Sequence, residues 1–358
     1  MASTRVKLMK GALSTMHSLG VHSILRPLSE GLGMILTLHR VRPANELEAE
    51  LGAFPAFNPN GLLEITPEFL DATFEALKAQ GLAIVSLDEA VEAIKSPSVQ
   101  KGRFVVFTFD DGYIDNRDHA LPVLEAHAAP TMIYMPSDFP QGKGELWWVA
   151  LEEMIRAADT LVRPDQPEMG ERSVRTAEEK LAFYLDFYWA LRSMGQDEQR
   201  RTIRKMAEDQ GYNLDALCRH LILSMSELQD LSAHPLITIG AHTVTHRAIA
   251  RLSPEEAIQE MVDGADWLEE TLGHRPKHFS FPYGDPCSAD TRDYQLARDA
   301  GFETAVTTRK GMLYADHADH LFGLPRVSLN GEFQEEHYIE VFASGAPFLL
   351  ANKFRKMA

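Results

Sequence analysis

Two short stretches of this chain gather side chains that could do chemistry. The first is FVVFTFDDGY, residues 104–113, where an apolar run ends in adjacent acids, Asp110 and Asp111, followed by Gly112. A β-branched and aromatic run closed by a turn residue reads as a strand. Two carboxylates side by side at its end repel one another unless a cation or a proton joins them. A solvated Asp-Asp-Gly turn is the plainer reading of the same residues. The second stretch is AHTVTH, 241–246, again at the end of an apolar run. His242 and His246 are four apart, a spacing that one helical turn would bring to one side. Paired imidazoles suit a borderline metal such as zinc, and with one carboxylate they make a three-ligand site open to water, the pattern of catalytic zinc. The second carboxylate is then free to act as a base. The residues alone leave open which aspartate does which.

These side chains need a scaffold that brings strand ends together. Strand-like runs alternate with helix-like stretches, which predicts an α/β fold with a mostly parallel sheet. The strands are expected at 33–39, 103–110, 131–135, 236–243, 278–284 and 303–308. The clearest helix is 253–273, with Ser253 as N-cap, Pro254 in the first turn, Glu256 completing a capping box and Gly273 as the stop. Its apolar face is read as Ile258, Met261, Val262, Ala265 and Leu268. Residues 144–233 break the alternation and read as several helices without a strand, an insertion on one rim of a barrel. Within it Leu181, Tyr184, Leu185, Tyr188 and Leu191 recur at helical spacing. Rim loops of α/β barrels carry substrate contacts, so Trp147 and Trp148 at its start are candidates to stack on a ligand. The organisation expected is an arm over 1–30, a barrel over 31–143 and 234–340, the insertion between, and a tail over 341–358.

Composition narrows the function classes. The chain has 358 residues, 45% hydrophobic and 24% charged, ordinary values for a globular protein. A net charge of -17 disfavours a nucleic-acid binder. Two cysteines, Cys218 and Cys287, make no disulfide framework, which fits a reducing bacterial cytoplasm. No apolar run approaches the roughly 20 residues that span a bilayer, and no signal peptide is evident. The charge is uneven, however. Residues 1–29 hold Arg5, Lys7, Lys10 and Arg26 without an acid, and the tail after Glu340 holds Lys353, Arg355 and Lys356 beside Phe348, Leu349, Leu350 and Phe354. Basic and apolar residues together suit a helix lying on anionic lipid; helices packed on the barrel wall are the plainer alternative.

TFDDG at 108–112, HTVTH at 242–246 and FPYG at 281–284, in that order, resemble the first three motifs of the NodB-type polysaccharide deacetylases, carbohydrate esterase family 4. The resemblance implies a distorted (β/α) barrel of about seven strands. It also implies Asp110 as general base, Asp111, His242 and His246 as ligands of Zn2+ or another divalent transition metal, and the Tyr283 backbone N–H as oxyanion donor. Pro282 of the third motif is a substrate-contact candidate. An arginine that usually opens this motif, and orients the base, is replaced by Ser280; Arg326 in LPRVSLNG is the candidate substitute and a further substrate contact. The usual fourth motif appears only as DGADW, 263–267, inside the amphipathic helix, so Asp263 and Asp266 are read as solvated. The Leu-x-His that supplies the general acid is absent near the C-terminus, where His317 and His320 have the wrong surroundings. ILTLHRV, 35–41, offers it at the front. The chain thus resembles the circularly permuted branch that deacetylates poly-N-acetylglucosamine, with His39 as the acid. The expected reaction is metal-dependent hydrolysis of an N-acetyl group from an amino sugar or polysaccharide. A lipid-linked N-formyl sugar and a non-catalytic glycan binder are the alternatives.

Overall fold

The computed structural model describes residues 4–98 and 102–356. Two helices open the chain, α1 (Thr4–Ser18) and α2 (Val21–Ser29), and β1 (Gly33–Leu38) follows with all six residues buried. The other strands of the main sheet are β2 (Leu82–Ile84), β3 (Arg103–Asp110), β4 (Thr131–Met135), β5 (Ile237–Ala241), β6 (His278–Ser280), β7 (Thr304–Val306) and β8 (Val327–Ser328). Seven of them lie in the order β7-β6-β5-β4-β3-β1-β8, and the short β2 pairs with the start of β3. Every pairing is parallel. Such strands are covered on both faces, which is why they appear in the sequence as unbroken apolar runs. The sheet curls. Leu324 bridges Val306 at one end of the order, while Val327 and Ser328 pair with Leu36 and Thr37 of β1 at the other. The expected α/β barrel is the architecture found.

Register decides where the chemistry falls. Leu38 pairs with Phe109, so His39 stands beside Asp110 at the same sheet end. Tyr134 pairs with both Asp110 and Gly240, and Met135 with Ala241, which carries His242 to that end too. Two of the six expected strands, 103–110 and 131–135, have the bounds expected, the other four are trimmed at one or both ends, and β2 and β8 were not anticipated; at three and two residues they are too short to show a period.

The rim segment is mostly helical, led by α3 (Trp147–Ala157) and α4 (Ala177–Ser193). It also holds a two-residue antiparallel ladder, Thr160–Leu161 with Arg172–Ser173, where no strand was expected. The apolar face read for α4 is rotated in the structure. Lys180, Phe183, Tyr184, Phe187 and Leu191 are buried, whereas Leu185 is exposed. Lys180 can be inside because its ammonium donates to Ile155 O (2.6 Å) and Ala158 O (2.7 Å) at the end of α3. The helix α5 (Pro254–Leu272) has the expected capping box and a left-handed Gly273. At the C-terminus α6 (Glu336–Ala343) packs on α1, and α7 (Ala346–Ala351) packs on α2. Among the described residues no helix is long and apolar enough to cross a membrane. Cys218 and Cys287 are both free.

Candidate active site at the strand ends

Asp110 ends β3, and the chain then turns through two consecutive left-handed residues, Asp111 (φ 74°) and Gly112 (φ 70°). The turn aims the adjacent carboxylates at different partners, so their repulsion is relieved from two sides. The left-handed φ of Gly112 favours glycine, and a β-carbon there would also have to displace the tip of the Met135 side chain. Asp110 receives the guanidinium fork of Arg326, Nη1 to Oδ1 at 2.8 Å and Nη2 to Oδ2 at 2.7 Å. Burial alone would raise its pKa; Arg326, then His242, hold the carboxyl well below the usual range. Asp111 is likewise buried yet held low, chiefly by His246.

The histidines are not on a helical turn. His242 follows β5, and the loop after it has Thr243 (φ 67°) and His246 (φ 60°) in left-handed conformations. The His246 N–H donates to Thr243 Oγ1 at 2.9 Å, and Glu260 of α5 accepts from Val244 N, Thr245 N and the Thr245 hydroxyl. Gly264 lets α5 press onto this loop, because a β-carbon there would stand 2.8 Å from the Thr243 carbonyl. The DGADW stretch therefore contributes its glycine, not its acids: Asp263 and Asp266 are exposed. Tyr283 is also left-handed (φ 62°). Four of the seven non-glycine residues with positive φ among those described fall in these three motifs, and strain of this kind concentrates where a site dictates the backbone.

The ligand atoms of Asp111, His242 and His246 all lie within 4.8 Å of one another. Asp111 Oδ1 is 3.2 Å from His246 Nε2 and 3.6 Å from His242 Nε2, and it is buried without a hydrogen-bond partner. His242 Nδ1 lies 2.6 Å from Ser280 O; donating there leaves Nε2 with its lone pair towards Asp111. Burial depresses the His242 pKa to about 4, keeping the ring neutral. A neutral imidazole and an ionised, unsatisfied carboxylate are the forms a divalent transition metal takes as ligands. The residues fit the ion.

His39 is half-buried, and its carbonyl, not its ring, is what the backbone frame uses: Asn116 Nδ2 donates to His39 O at 2.7 Å. Behind it lies a buried ionic network that the sequence reading missed. Arg40 Nε meets Asp115 Oδ2 at 2.9 Å, Arg40 and Arg42 share Glu64, and Val41 N donates to Asp115 Oδ1. The signal was present in DDGYIDN, where Asp115 and Asn116 follow the acid pair after three intervening residues.

His39, Asp110, Asp111, His242, His246 and Tyr283 line one cavity of about 340 Å³. Trp148 lies on its wall with its ring 4.9 Å from that of His246, donating through Nε1 to Tyr113. Three of the expected substrate contacts are not in its lining. Trp147 is buried and donates to the Tyr283 hydroxyl (2.8 Å), Pro282 is buried, and Arg326 lies wholly behind Asp110. Packing claims the first two and the carboxylate claims the third. The rim instead presents Leu62, Leu63, Leu185, Tyr188 and Trp189, none of them anticipated. His317 is buried in a loop against Tyr314, away from this cavity.

Known proteins locate this arrangement. A sequence model described as polysaccharide deacetylase matches residues 196–305, a span that holds both histidines and Tyr283. That segment is similar to a polysaccharide deacetylase domain, the domain of a hydrolase, and solved structures share the fold of the chain. IcaB from Ammonifex degensii is 16% identical with a TM-score of 0.53, covering 88% of this chain and 98% of that one. The Streptococcus pyogenes deacetylase PplD is 18% identical with a TM-score of 0.51, covering 83% and 92%. A de-N-acetylase from Aggregatibacter actinomycetemcomitans is 14% identical with a TM-score of 0.50, covering 83% and 95%. No curated protein matches the chain.

Proposed function

We propose that this deacetylase domain hydrolyses the N-acetyl group of an amino sugar within a polysaccharide, using a divalent transition metal, zinc in the first instance, held by Asp111, His242 and His246. The observation that carries the reading is the convergence of those three ligand atoms within 4.8 Å beside an ionised Asp110 in one cavity. A metal in that position would supply an acidified water and polarise the amide carbonyl.

The chain's own residues do the rest. Asp110, kept ionised by Arg326, is placed to accept the proton of the attacking water; so weak a base would suffice if a bound metal lowered that water's pKa. The left-handed turn at Tyr283 frees its N–H, which has no acceptor among the described residues, to donate to the oxyanion. His39, on the wall of the same cavity, protonates the departing amine. Its place on the first strand, ahead of the motifs, is what a circularly permuted barrel needs. Arg326 orients the base from the segment joining β7 and β8, and Ser280 accommodates it, with its hydroxyl 3.0 Å from Nη2.

The test is acyl release, as acetate or formate, from N-acyl amino sugars running from monosaccharides to oligomers and lipid-linked species. Zinc-loaded protein is compared with Asp110→Asn. Acetate release that disappears in the variant supports the reading; silence across the panel despite bound metal points to a glycan binder.

The partner we propose for the opposite end is an anionic lipid surface. Ile24 and Leu28 on α2, Leu350 on α7 and Phe354 just beyond it are 74%, 65%, 40% and 67% exposed, beside Lys353, Arg355 and Lys356. This face adjoins the strand starts, since Glu30 pairs with Arg103 and Arg26 reaches Gln80 O. Contact there turns the catalytic mouth away from the lipid. Co-sedimentation with phosphatidylglycerol vesicles at low salt should be lost in Ile24→Ser/Phe354→Ser; no binding by the unaltered protein refutes it.

A further inference from the structure

The rim of the cavity holds three large apolar side chains that the chemistry above does not use. Trp189 is 64% exposed, Leu62 48% and Leu185 46%, and all three line the same mouth. Leu185 and Trp189 stand one turn apart on α4 and share a face. Scattered exposed leucines need no explanation, but a cluster with an exposed indole at the entrance of a reaction site marks a contact surface.

The indole is also held in place. Tyr188 meets it edge-on at 5.3 Å, and Tyr188 packs in turn on Trp147 at 5.1 Å and Tyr184 at 5.6 Å. A side chain already ordered loses little freedom when a ligand arrives. The cavity that these side chains help to line measures about 340 Å³, at the small end of ligand cavities, so a long substrate must extend out of it past this rim.

We propose that Trp189, with Leu185 and Leu62, is a stacking subsite for the sugar ring adjacent to the one being deacetylated, making this an enzyme of oligomers and polymers rather than of free amino sugars. The proposal rests on the deacetylase reading above. A rim that stays half in water suits a ligand with one apolar face and polar edges. A pyranose is such a ligand: its C–H face lies on the indole and its hydroxyls remain solvated. A hydrocarbon tail would need enclosure, which side chains exposed to this degree do not provide. The nearby amide of Asn60 is already committed: its Nδ2 donates to Trp148 O and to Glu152, both at 2.8 Å, and its oxygen accepts from the Tyr184 hydroxyl at 3.0 Å. With exposed apolar faces on the rim and Asn60 occupied, recognition at this subsite is mainly by stacking. It tolerates the neighbouring ring whether its nitrogen is acetylated or free, so the enzyme can work along a partly deacetylated chain.

The experiment compares kcat/KM of zinc-loaded wild type, Trp189→Phe and Trp189→Ala on N-acetylglucosamine and its dimer to hexamer. Trp189 is on the surface, so neither variant opens a core. Wild type should prefer the trimer to the monosaccharide. That preference should shrink about tenfold in Trp189→Ala, mostly through KM, and largely persist in Trp189→Phe, which keeps an aromatic face. Trimers with a free amine on the neighbouring ring should behave like fully acetylated ones. A preference unchanged in Trp189→Ala overturns the subsite, as does one lost only for a lipid-linked amino sugar, which would assign the rim to hydrocarbon. If wild type turns over no sugar of any length, the deacetylase reading itself has failed. Binding of the hexamer to Asp110→Asn, followed by indole fluorescence, keeps the two failures apart.

Discussion

Arg326 is the residue whose removal should do most damage for its size. It is fully buried and its side chain makes five hydrogen bonds: two to Asp110, one each to Thr108 Oγ1, Ser280 Oγ and Thr307 O. Arg326→Met keeps much of the volume and removes the charge, leaving Asp110 ionised, buried and alone. Breaking a buried pair from one side costs about 3–5 kcal/mol. Orphaning Thr307 O adds to this, so a loss of about 4 kcal/mol is expected. At about 2 °C per kcal/mol for a chain of this length, Tm should fall by about 8 °C. Turnover should fall about a hundredfold or more, because the base is no longer held at its angle. Arg326→Lys should recover stability in part and turnover less, since a point charge does not reproduce the fork. The decisive comparison is Arg326→Met/Asp110→Asn. With both charges gone, the double variant should be more stable than Arg326→Met alone. The reasoning is refuted if Arg326→Met melts within about 2 °C of wild type, or if the double variant is the less stable.

Three further predictions follow from the site and its supports. His39→Ala should lose about 10²- to 10⁴-fold in kcat while binding zinc as wild type does; loss of metal with activity would contradict its assignment as acid. Asp111→Asn should lower zinc occupancy, measured by equilibrium dialysis, far more than Asp110→Asn, and equal occupancy would sink that division. Glu227 caps the helix leading into β5, accepting from Ser224 N at 2.8 Å, Ser224 Oγ at 2.7 Å and Arg117 at 2.6 Å. The Ser224 N–H above all holds its pKa down to about 2. Its stabilisation is therefore complete above the ordinary glutamate range and is lost as pH falls towards 2. Glu227→Gln should cost about 1 kcal/mol at pH 7, a figure discounted for its part-exposure, and the gap in urea midpoint should close in acid. A gap that is the same at every pH would rule out the carboxylate as its source.

Much of the chemistry was legible because it is written locally. Asp110 and Asp111 need a sharp turn after a buried strand, and a strand-like run closed by glycine announces one. The parallel sheet was legible for the same reason, since strands covered on both faces leave continuous apolar runs. Ser253, Glu256 and Gly273 marked the ends of α5 because caps are short-range interactions. The failures were of another kind. His242 and His246 suggested a helical turn by spacing, but two left-handed residues, a glutamate sixteen residues beyond Val244 and Gly264 shape that loop instead. Trp147 looked like a ligand platform as much as Trp148 did, yet only Trp148 reaches the cavity wall; whether an indole meets a ligand depends on what packs over it. Trp189, which is exposed, sat unnoticed in a helix whose face was read one position off.

By itself the sequence determined residue types, strand ends and caps: two acids, two imidazoles and a histidine after the first strand, each at the end of an apolar run. Only the tertiary structure decided which of them meet. Parallel register sets His39 beside Asp110, and curling of the sheet carries the segment of Arg326 round to the same carboxylate, 216 residues away. Contacts between distant strands depend on how the sheet closes, and no local pattern encodes that closure.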